Sequence, residues 1–260
     1  MVAPRPELEY HPLVTMAVYN YDDPILVTDG IYWIGFSDAL AHMHCNPYLL
    51  IDGEDAVLFD PGSVTEFPII MRKIIDLISP ERIVLIVATH QDPDVCANLA
   101  IVEELVGRSD LMVAAHSNTI RLIQHLGLTS KFYPVDKNEY RYILPSGRVI
   151  TFHPTLYLHA PGAITAYDAK TRSLFSSDLF GAVDDEWTLF DGVRFPYNMD
   201  SFHREYMPSN AVVRAGLKNI EHLEIDRILP QHGSVIEGES VRVAFAHLKE
   251  LKCGIDLTVG

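Results

Sequence analysis

The residues best suited to chemistry are histidines and aspartates in four short segments, each beside a strand-like run. The densest segment places His90, Asp92 and Asp94 at alternate positions directly after the apolar run Arg82–Ala88. An extended turn at that point can direct three ligand atoms to one place. The other segments are Leu158–Gly162 with His159, Ser176–Leu179 with Asp178, and Leu229–Gly233 with His232. Because they are far apart in sequence, only a fold that gathers strand ends can make one site of them.

These six candidates are three imidazoles and three carboxylates. Thiolate-rich sites select zinc or copper(I), whereas imidazole and carboxylate ligands with bound water suit iron or manganese. A carboxylate can also keep two cations close together when each of its oxygens binds one of them. The residue types therefore favour a metal centre of iron or manganese.

The elements that must position these residues alternate between strand-like and helix-like runs. Arg82–Ala88 is rich in β-branched residues without alternation, as expected for a strand buried on both faces. Helices are predicted at Glu66–Ile78, Ala97–Val106, Asn118–Leu126, Met207–Leu223 and Glu239–Leu251. Further strands are predicted at Ile31–Ile34, Tyr48–Ile51, Ala56–Phe59, Arg148–Phe152, Thr155–His159, Ser173–Ser176 and Arg227–Leu229. The aromatic-rich segment Gly181–Asn198 is irregular and is either a lid or contact surface, or a packed surface loop.

The composition excludes several classes of protein. With 260 residues, 48% hydrophobic and 21% charged, the chain resembles ordinary globular proteins, and we expect one domain over residues 1–260. The net charge of −15 repels phosphate backbones and anionic lipids, so we expect no nucleic-acid binding and no membrane insertion. The odd number of cysteines, 3, and the lack of a signal-peptide pattern in MVAPRPELEY fit a reducing cytoplasm.

The order HxDxD, then His, then Asp, then His-Gly resembles the metallo-β-lactamase superfamily. Within it, HAPGAITAYDAKTRSLFSSDLFG and LPQHG are most similar to the di-iron domain of flavo-diiron proteins, in particular to the standalone oxygen-binding type. The resemblance runs from about Ile31 to the C-terminus. It implies an α/β (α+β) fold, a four-layer αββα sandwich with two mixed sheets and the metals between loops at one edge.

The resemblance also implies the ligand set. His90, Asp92 and His159 would hold one iron ion, Asp94 and His232 the other, and Asp178 would bridge them, with an oxo, hydroxo or peroxo group between the two irons. Hydrolytic members usually carry HxHxDH, whereas this chain has Asp92 and Val95 where that pattern has histidines. Flavo-diiron proteins usually have Glu at the position of Asp92. The missing histidine leaves an open position for water or a small diatomic molecule.

The functional expectation is a non-haem di-iron protein that binds O2, or alternatively NO, and acts as an oxygen sensor. The resemblance suggests a homodimer and a cytosolic chemoreceptor or other signalling partner. The sequence shows no Gly-rich phosphate loop after a strand and no CxxC pair, so we expect no flavodoxin domain and no bound flavin. The alternatives are an O2 or NO reductase using an external flavoprotein or rubredoxin donor, a metallo-β-lactamase-type hydrolase, and a metal-free structural relic. No catalytic residue is assigned beyond the ligands.

Four further residues are candidates for supporting roles. Asp60 either contacts a ligand histidine or caps a turn. His42 and His44 precede Asn46 in a loop that the resemblance places near the metals, where they either donate protons or line a gas channel, or simply belong to a surface loop. Cys96 invites interpretation as a ligand, but the run Val95–Ala97 favours the start of a packed helix.

Overall fold

The computed structural model describes residues 19–37, 43–184, 186–190, 192 and 194–258. Within these ranges two sheets form the framework. The first sheet has seven strands in the order β1-β2-β3-β4-β5-β6-β7, antiparallel from β1 to β4 and parallel from β4 to β7. Its strands are Ile25–Thr28, Ile31–Trp33, Tyr48–Asp52, Asp55–Phe59, Ile83–Val87, Met112–Ala115 and Lys131–Pro134.

The second sheet has six strands in the order β13-β12-β11-β10-β9-β8. All neighbours are antiparallel except β11 and β12, which are parallel, so both sheets are mixed, as predicted. The strands β8 to β13 are Arg141–Ile143, Val149–Pro154, Ile164–Asp168, Ser173–Ser177, Arg227–Pro230 and Ile236–Glu237.

Seven α-helices cover the outer faces of the sheets. The helices α1 to α7 are Phe67–Leu77, Pro93–Cys96, Leu99–Val106, Ser117–Ile123, Asp200–Tyr206, Asn210–Lys218 and Glu239–Glu250. One apolar core, which includes Trp33, Phe59 and Phe175, lies between the two sheets. A second core joins the first sheet to α1, α3 and α4, and a third joins the second sheet to α5, α6 and α7. Three cores between four layers give the predicted αββα sandwich.

Local sequence explains most of these elements. Strand β5 is IVLIV and is buried at every position, which confirms the predicted two-sided burial of this run. Helix α3 ends at Gly107, whose φ of 63° is left-handed, and the Gly107 N–H bonds to the carbonyl of Glu103. Helix α6 begins after Ser209, whose hydroxyl accepts a hydrogen bond from the backbone N–H of Val212.

Two predicted elements were wrong. Residues 155–160 form turns and bends rather than a strand, because the Leu158 N–H donates a hydrogen bond to the carbonyl of Thr155, three residues earlier. Leu158 packs into the core under the second helical layer, so the apolar alternation there did not reflect a pleated strand. The helix predicted at Met207–Leu223 is shorter, since it starts at Asn210 after Pro208 and ends at Lys218.

Among the described residues, no helix is long enough and apolar enough to cross a membrane.

Candidate metal centre

The four chemistry-bearing segments meet at one edge of the sandwich. Each follows the carboxyl end of a strand: β5 precedes His90, β9 precedes His159, β11 precedes Asp178 and β12 precedes His232. Strands β5 and β11 belong to different sheets, so the site lies between the sheets. At the end of β11, Ser177 has a left-handed φ of 57°, and its carbonyl accepts the backbone N–H of Gln231. This turn places Asp178 next to the segment that carries His232.

One oxygen of Asp178 faces the first group of side chains. Asp178 Oδ2 lies 2.8 Å from His159 Nε2 and 3.3 Å from His90 Nε2. Asp92 Oδ2 completes this group, at 3.3 Å from His159 Nε2 and 3.8 Å from His90 Nε2. The ligand atoms of His90, His159 and Asp178 all lie within 4.8 Å of one another. Two imidazoles and two carboxylates thus converge on one point.

The other oxygen of Asp178 faces a second group. Asp178 Oδ1 lies 3.6 Å from His232 Nε2, which is itself 3.2 Å from Asp94 Oδ2. Asp178 Oδ1 is buried and accepts no hydrogen bond from any residue in the described ranges. A buried carboxylate oxygen without a donor is costly unless a cation satisfies it. The donor set and this orphaned oxygen therefore fit a pair of cations bridged by Asp178.

The distal ring nitrogens of two histidines are held by other groups. His232 Nδ1 lies 3.0 Å from the backbone carbonyl of His44, and His90 Nδ1 lies 3.1 Å from Ser177 Oγ. Donation of Nδ1–H to these oxygens fixes each ring with its Nε2 facing the carboxylates, where a cation could replace the Nε2 proton. This is the arrangement that orients histidines for metal binding.

The carboxylates and imidazoles of the cluster shift one another's pKa values. Burial opposes the charge of Asp178, but the imidazoles of His90, His159 and His232 outweigh it and hold the pKa of Asp178 well below its usual range. Burial likewise opposes the charge of His232, but the Asp94 carboxylate and the other neighbours of the ring outweigh it and raise its pKa well above the usual value. The hydrogen bond to Asp178 raises the pKa of His159. Each partner thus favours the charged form of the other.

The two sides of the cluster differ in exposure. The side chains of His90, Asp178 and His232 are only 2–3% exposed, whereas those of His159, Asp94 and Asp92 are 21%, 26% and 31% exposed. Two aromatic rings of α5 pack against histidines of the cluster. The Tyr206 ring lies 5.6 Å from the His159 ring, and the Phe202 ring lies 5.3 Å from the His232 ring. A small molecule would reach the centre past Asp92 and His159.

Asp60 lies at the end of β4 and reaches His90 through hydroxyl groups. Its carboxylate accepts hydrogen bonds from the backbone N–H and the hydroxyl of Thr89 at 2.8 and 2.9 Å. The Thr89 hydroxyl is 2.8 Å from Ser177 Oγ, which contacts His90 Nδ1. Burial raises the pKa of Asp60 to about 7, although the Thr89 N–H lowers it. Asp60 therefore positions the segment that begins with Thr89.

The loop before β3 supports the segment that carries His232. Asn46 is buried and donates from Nδ2 to the backbone carbonyls of Pro230 and Gly233. His44 is buried, and its ring stacks on Trp187 at 4.2 Å between centroids. The third candidate in this loop, His42, lies outside the described residues. Trp187 also belongs to the segment Gly181–Asn198, and together with Leu189 and Phe190 it packs into the core between the sheets.

Sequence reasoning missed two residues near the second group. Cys45 Sγ lies within 4.8 Å of the ligand atoms of both Asp94 and His232. Burial and the Asp94 carboxylate raise the pKa of Glu66, which places that carboxyl within electrostatic range of the group. The position of Cys45 between His44 and Asn46 was a signal that could have identified it. Cys96 is the last residue of helix α2 and is buried in the second core, and its thiol donates to the Gln91 carbonyl, so it belongs to a packed helix as predicted.

Comparisons with known proteins identify a family and related structures. The model of the family described as ODP family beta lactamase matches residues 43–233. The apo state of the chemotaxis sensor ODP from T. denticola is similar, with a TM-score of 0.78 and 30% identity over 90% of this chain and 96% of that chain. A structure of a peroxy di-iron species of the chemotaxis sensor ODP has a TM-score of 0.77 and 29% identity over 91% of this chain and 98% of that one.

A more distant relative is an enzyme. The nitric oxide reductase of Moorella thermoacetica is 23% identical over 248 residues, which are 87% of this chain and 61% of that protein. The chain spans between about a quarter and three fifths of the length of the curated relatives it matches.

Proposed function

The chain belongs to the ODP family of β-lactamase-like proteins, and from that premise we propose that it binds two iron ions and senses O2 at them. The observation that carries the proposal is the placement of Asp178, which directs one oxygen to each group of donors. The ligands would be His90, Asp92, Asp94, His159, Asp178 and His232. Two ferrous ions would supply the two electrons with which O2 is bound in reduced form.

The chain's own residues prepare this centre. The buried sides of His90 and His232 exclude water, and their Nδ1 atoms are fixed by oxygen acceptors. Val95 is fully buried in the apolar core, so the position that carries a histidine in hydrolytic relatives offers no donor here. Asp92 adds a hard oxygen donor, which favours iron over zinc. These features support O2 binding rather than zinc-dependent hydrolysis.

The signalling role rests on the two ODP structures described as chemotaxis sensors. By that analogy we infer a cytoplasmic homodimer that passes the oxygen-dependent state of its centre to a chemoreceptor or related signalling protein. The similarity to a nitric oxide reductase supports a second function, reduction of O2 or NO with electrons from a separate flavoprotein or rubredoxin.

One experiment separates the candidates. The protein is purified without oxygen, its iron is quantified, O2 is admitted, and the visible absorption is followed. Two irons per chain and an oxygen-dependent band that lasts minutes or longer support the sensor. A band that decays at once, with turnover on reduced flavoprotein, supports the reductase. Zinc occupancy with esterase or lactamase activity and no colour would overturn both.

A further inference from the structure

Cys45 lies beside the second group of proposed ligands, and neither the resemblance nor the ligand set above uses it. Its Sγ is 3.8 Å from Asp94 Oδ2, and the ligand atoms of Cys45, Asp94 and His232 lie within 4.8 Å of one another. Cys45 is 7% exposed. We propose that Cys45 is a thiolate ligand of the second metal ion, an inference that rests on the proposed two-metal centre.

The distances suit a cation among these three side chains. Tetrahedral sites have metal–sulfur bonds of about 2.3 Å and metal–nitrogen or metal–oxygen bonds of about 2.0–2.1 Å, which separates neighbouring ligand atoms by about 3.3–3.5 Å. The Asp94–His232 distance is 3.2 Å and the Cys45–Asp94 distance is 3.8 Å. These two distances are within a few tenths of an ångström of the separations that a shared metal ion requires, and the Cys45 and His232 ligand atoms lie within 4.8 Å of each other.

Asp178 offers a fourth donor to the second metal, and an independent observation supports this. Asp178 is 1% exposed, and its Oδ1 has no hydrogen-bond donor among the described residues. That oxygen lies 3.6 Å from His232 Nε2, the ring nitrogen that also faces Asp94 Oδ2 at 3.2 Å. Sulfur, imidazole nitrogen and two carboxylate oxygens would then surround the second metal.

Charge balance points the same way. Two divalent cations bring four positive charges into a largely buried site, and Asp92, Asp94 and Asp178 bring three negative charges. An unbalanced buried charge is expensive. When Cys45 binds the metal, its thiol proton leaves to solvent and the thiolate supplies the fourth negative charge. The four anionic protein ligands then carry a charge equal and opposite to that of the two divalent ions.

The two metal positions therefore differ in chemical softness. The first has only nitrogen and oxygen donors, while the second contains a thiolate and should accept softer divalent metals such as Co²⁺ or Zn²⁺ more readily. Changes in groups that merely orient metal ligands cost about 10–100-fold in affinity. Loss of a direct ligand in Cys45→Ser should therefore weaken the second metal by at least about 100-fold.

The test is a titration of the metal-free full chain with Co²⁺. Thiolate bound to Co²⁺ gives a strong charge-transfer band in the near ultraviolet, whereas imidazole and carboxylate do not. We expect this band in the wild type, with two Co²⁺ bound per chain. Cys45→Ser should lose the band and bind one Co²⁺ tightly. Cys96→Ser is the matched control, since it removes a buried thiol two residues from Asp94 and should keep both the band and the stoichiometry.

The outcomes separate this inference from the proposed function. Two bound Co²⁺ without the band in the wild type, or a band that survives in Cys45→Ser, overturns the thiolate ligand and leaves the two-metal centre intact. A wild type that binds no metal overturns the proposed function itself. If Cys45→Ser does not fold, X-ray absorption on the wild type decides, because a thiolate ligand requires a metal–sulfur distance near about 2.3 Å. A shell of nitrogen and oxygen alone refutes it.

Discussion

Replacing Asn46 with alanine should weaken both the fold and one half of the metal centre. Asn46 is 1% exposed, and its Oδ1 accepts the indole N–H of Trp33 at 2.9 Å. Its Nδ2 donates to the carbonyls of Pro230 and Gly233 at 3.1 and 2.7 Å. These bonds hold both ends of the segment that carries His232.

The expected loss in the free energy of unfolding depends on which hydrogen bonds the three partners of Asn46 keep after the substitution. The Pro230 carbonyl still accepts the Tyr48 hydroxyl at 3.3 Å, and the Gly233 carbonyl still accepts the Trp187 indole at 2.9 Å. The Trp33 indole loses the acceptor that Asn46 provides. An unsatisfied buried donor costs about 1–3 kcal/mol and each weakened bond about 0.5 kcal/mol, which gives about 2–4 kcal/mol in total.

Urea unfolding of the metal-free protein measures this change in the free energy of unfolding. Asn219→Ala is the matched control, because it removes one exposed bond to the Pro154 carbonyl and should cost less than about 1 kcal/mol. In a metal titration, Asn46→Ala should weaken the second metal by about 10–100-fold and leave the first nearly unchanged. A cost equal to that of the control, or equal weakening of both metals, would refute the reasoning.

Three further predictions concern burial, charge and the bridge. His203 should contribute about 3 kcal/mol of stability that is present above about pH 6.5 and lost as pH falls to about 4, because burial lowers the pKa of His203 to about 4 and the unfolded chain binds the proton first. Urea unfolding of the metal-free protein measures this contribution as the difference between the wild type and His203→Gln, and an equally steep loss in the two would contradict it. Arg148→Met should lower the free energy of unfolding, measured with urea, by about 3–5 kcal/mol, since it leaves the Asp168 carboxylate buried without its bidentate partner. Adding Asp168→Asn to this variant should recover part of the loss. Asp178→Ala should lose both metals by elemental analysis while Asp136→Ala keeps them; retention of two tightly bound irons would disprove the bridge.

Strong local patterns allowed much of the fold to be predicted from sequence. The buried run of β5 and the amphipathic helix α7 lie close to their predicted bounds. The strand predicted at Thr155–His159 was wrong because the side chain of Leu158 is buried by a tertiary contact with the helical layer. The helix Asp200–Tyr206 was missed, since its short sequence has little apolar periodicity of its own. The layer order came from family resemblance rather than from any local pattern.

For the candidate site as well, part could be predicted from the sequence and part could not. The six proposed ligands could be selected because each follows a strand and their order resembles a known family. Cys45 was not selected, because its approach to Asp94 joins residues 49 positions apart, and its place between His44 and Asn46 was the only signal for it in the sequence. The role of Asn46 was equally hidden, since its partners lie 184 and 187 positions further along the chain.

The location of the centre between the two sheets has a consequence for the lifetime of the molecule. His90 and its neighbours belong to the first sheet and His232 to the second, so a bound ion would cross-link the two halves of the sandwich. A ligand present at 100 times its dissociation constant adds about 2.7 kcal/mol to the free energy of unfolding. If the proposed metal centre forms, the metal-free chain would therefore unfold more readily and be cut faster by proteases than the metal-bound chain.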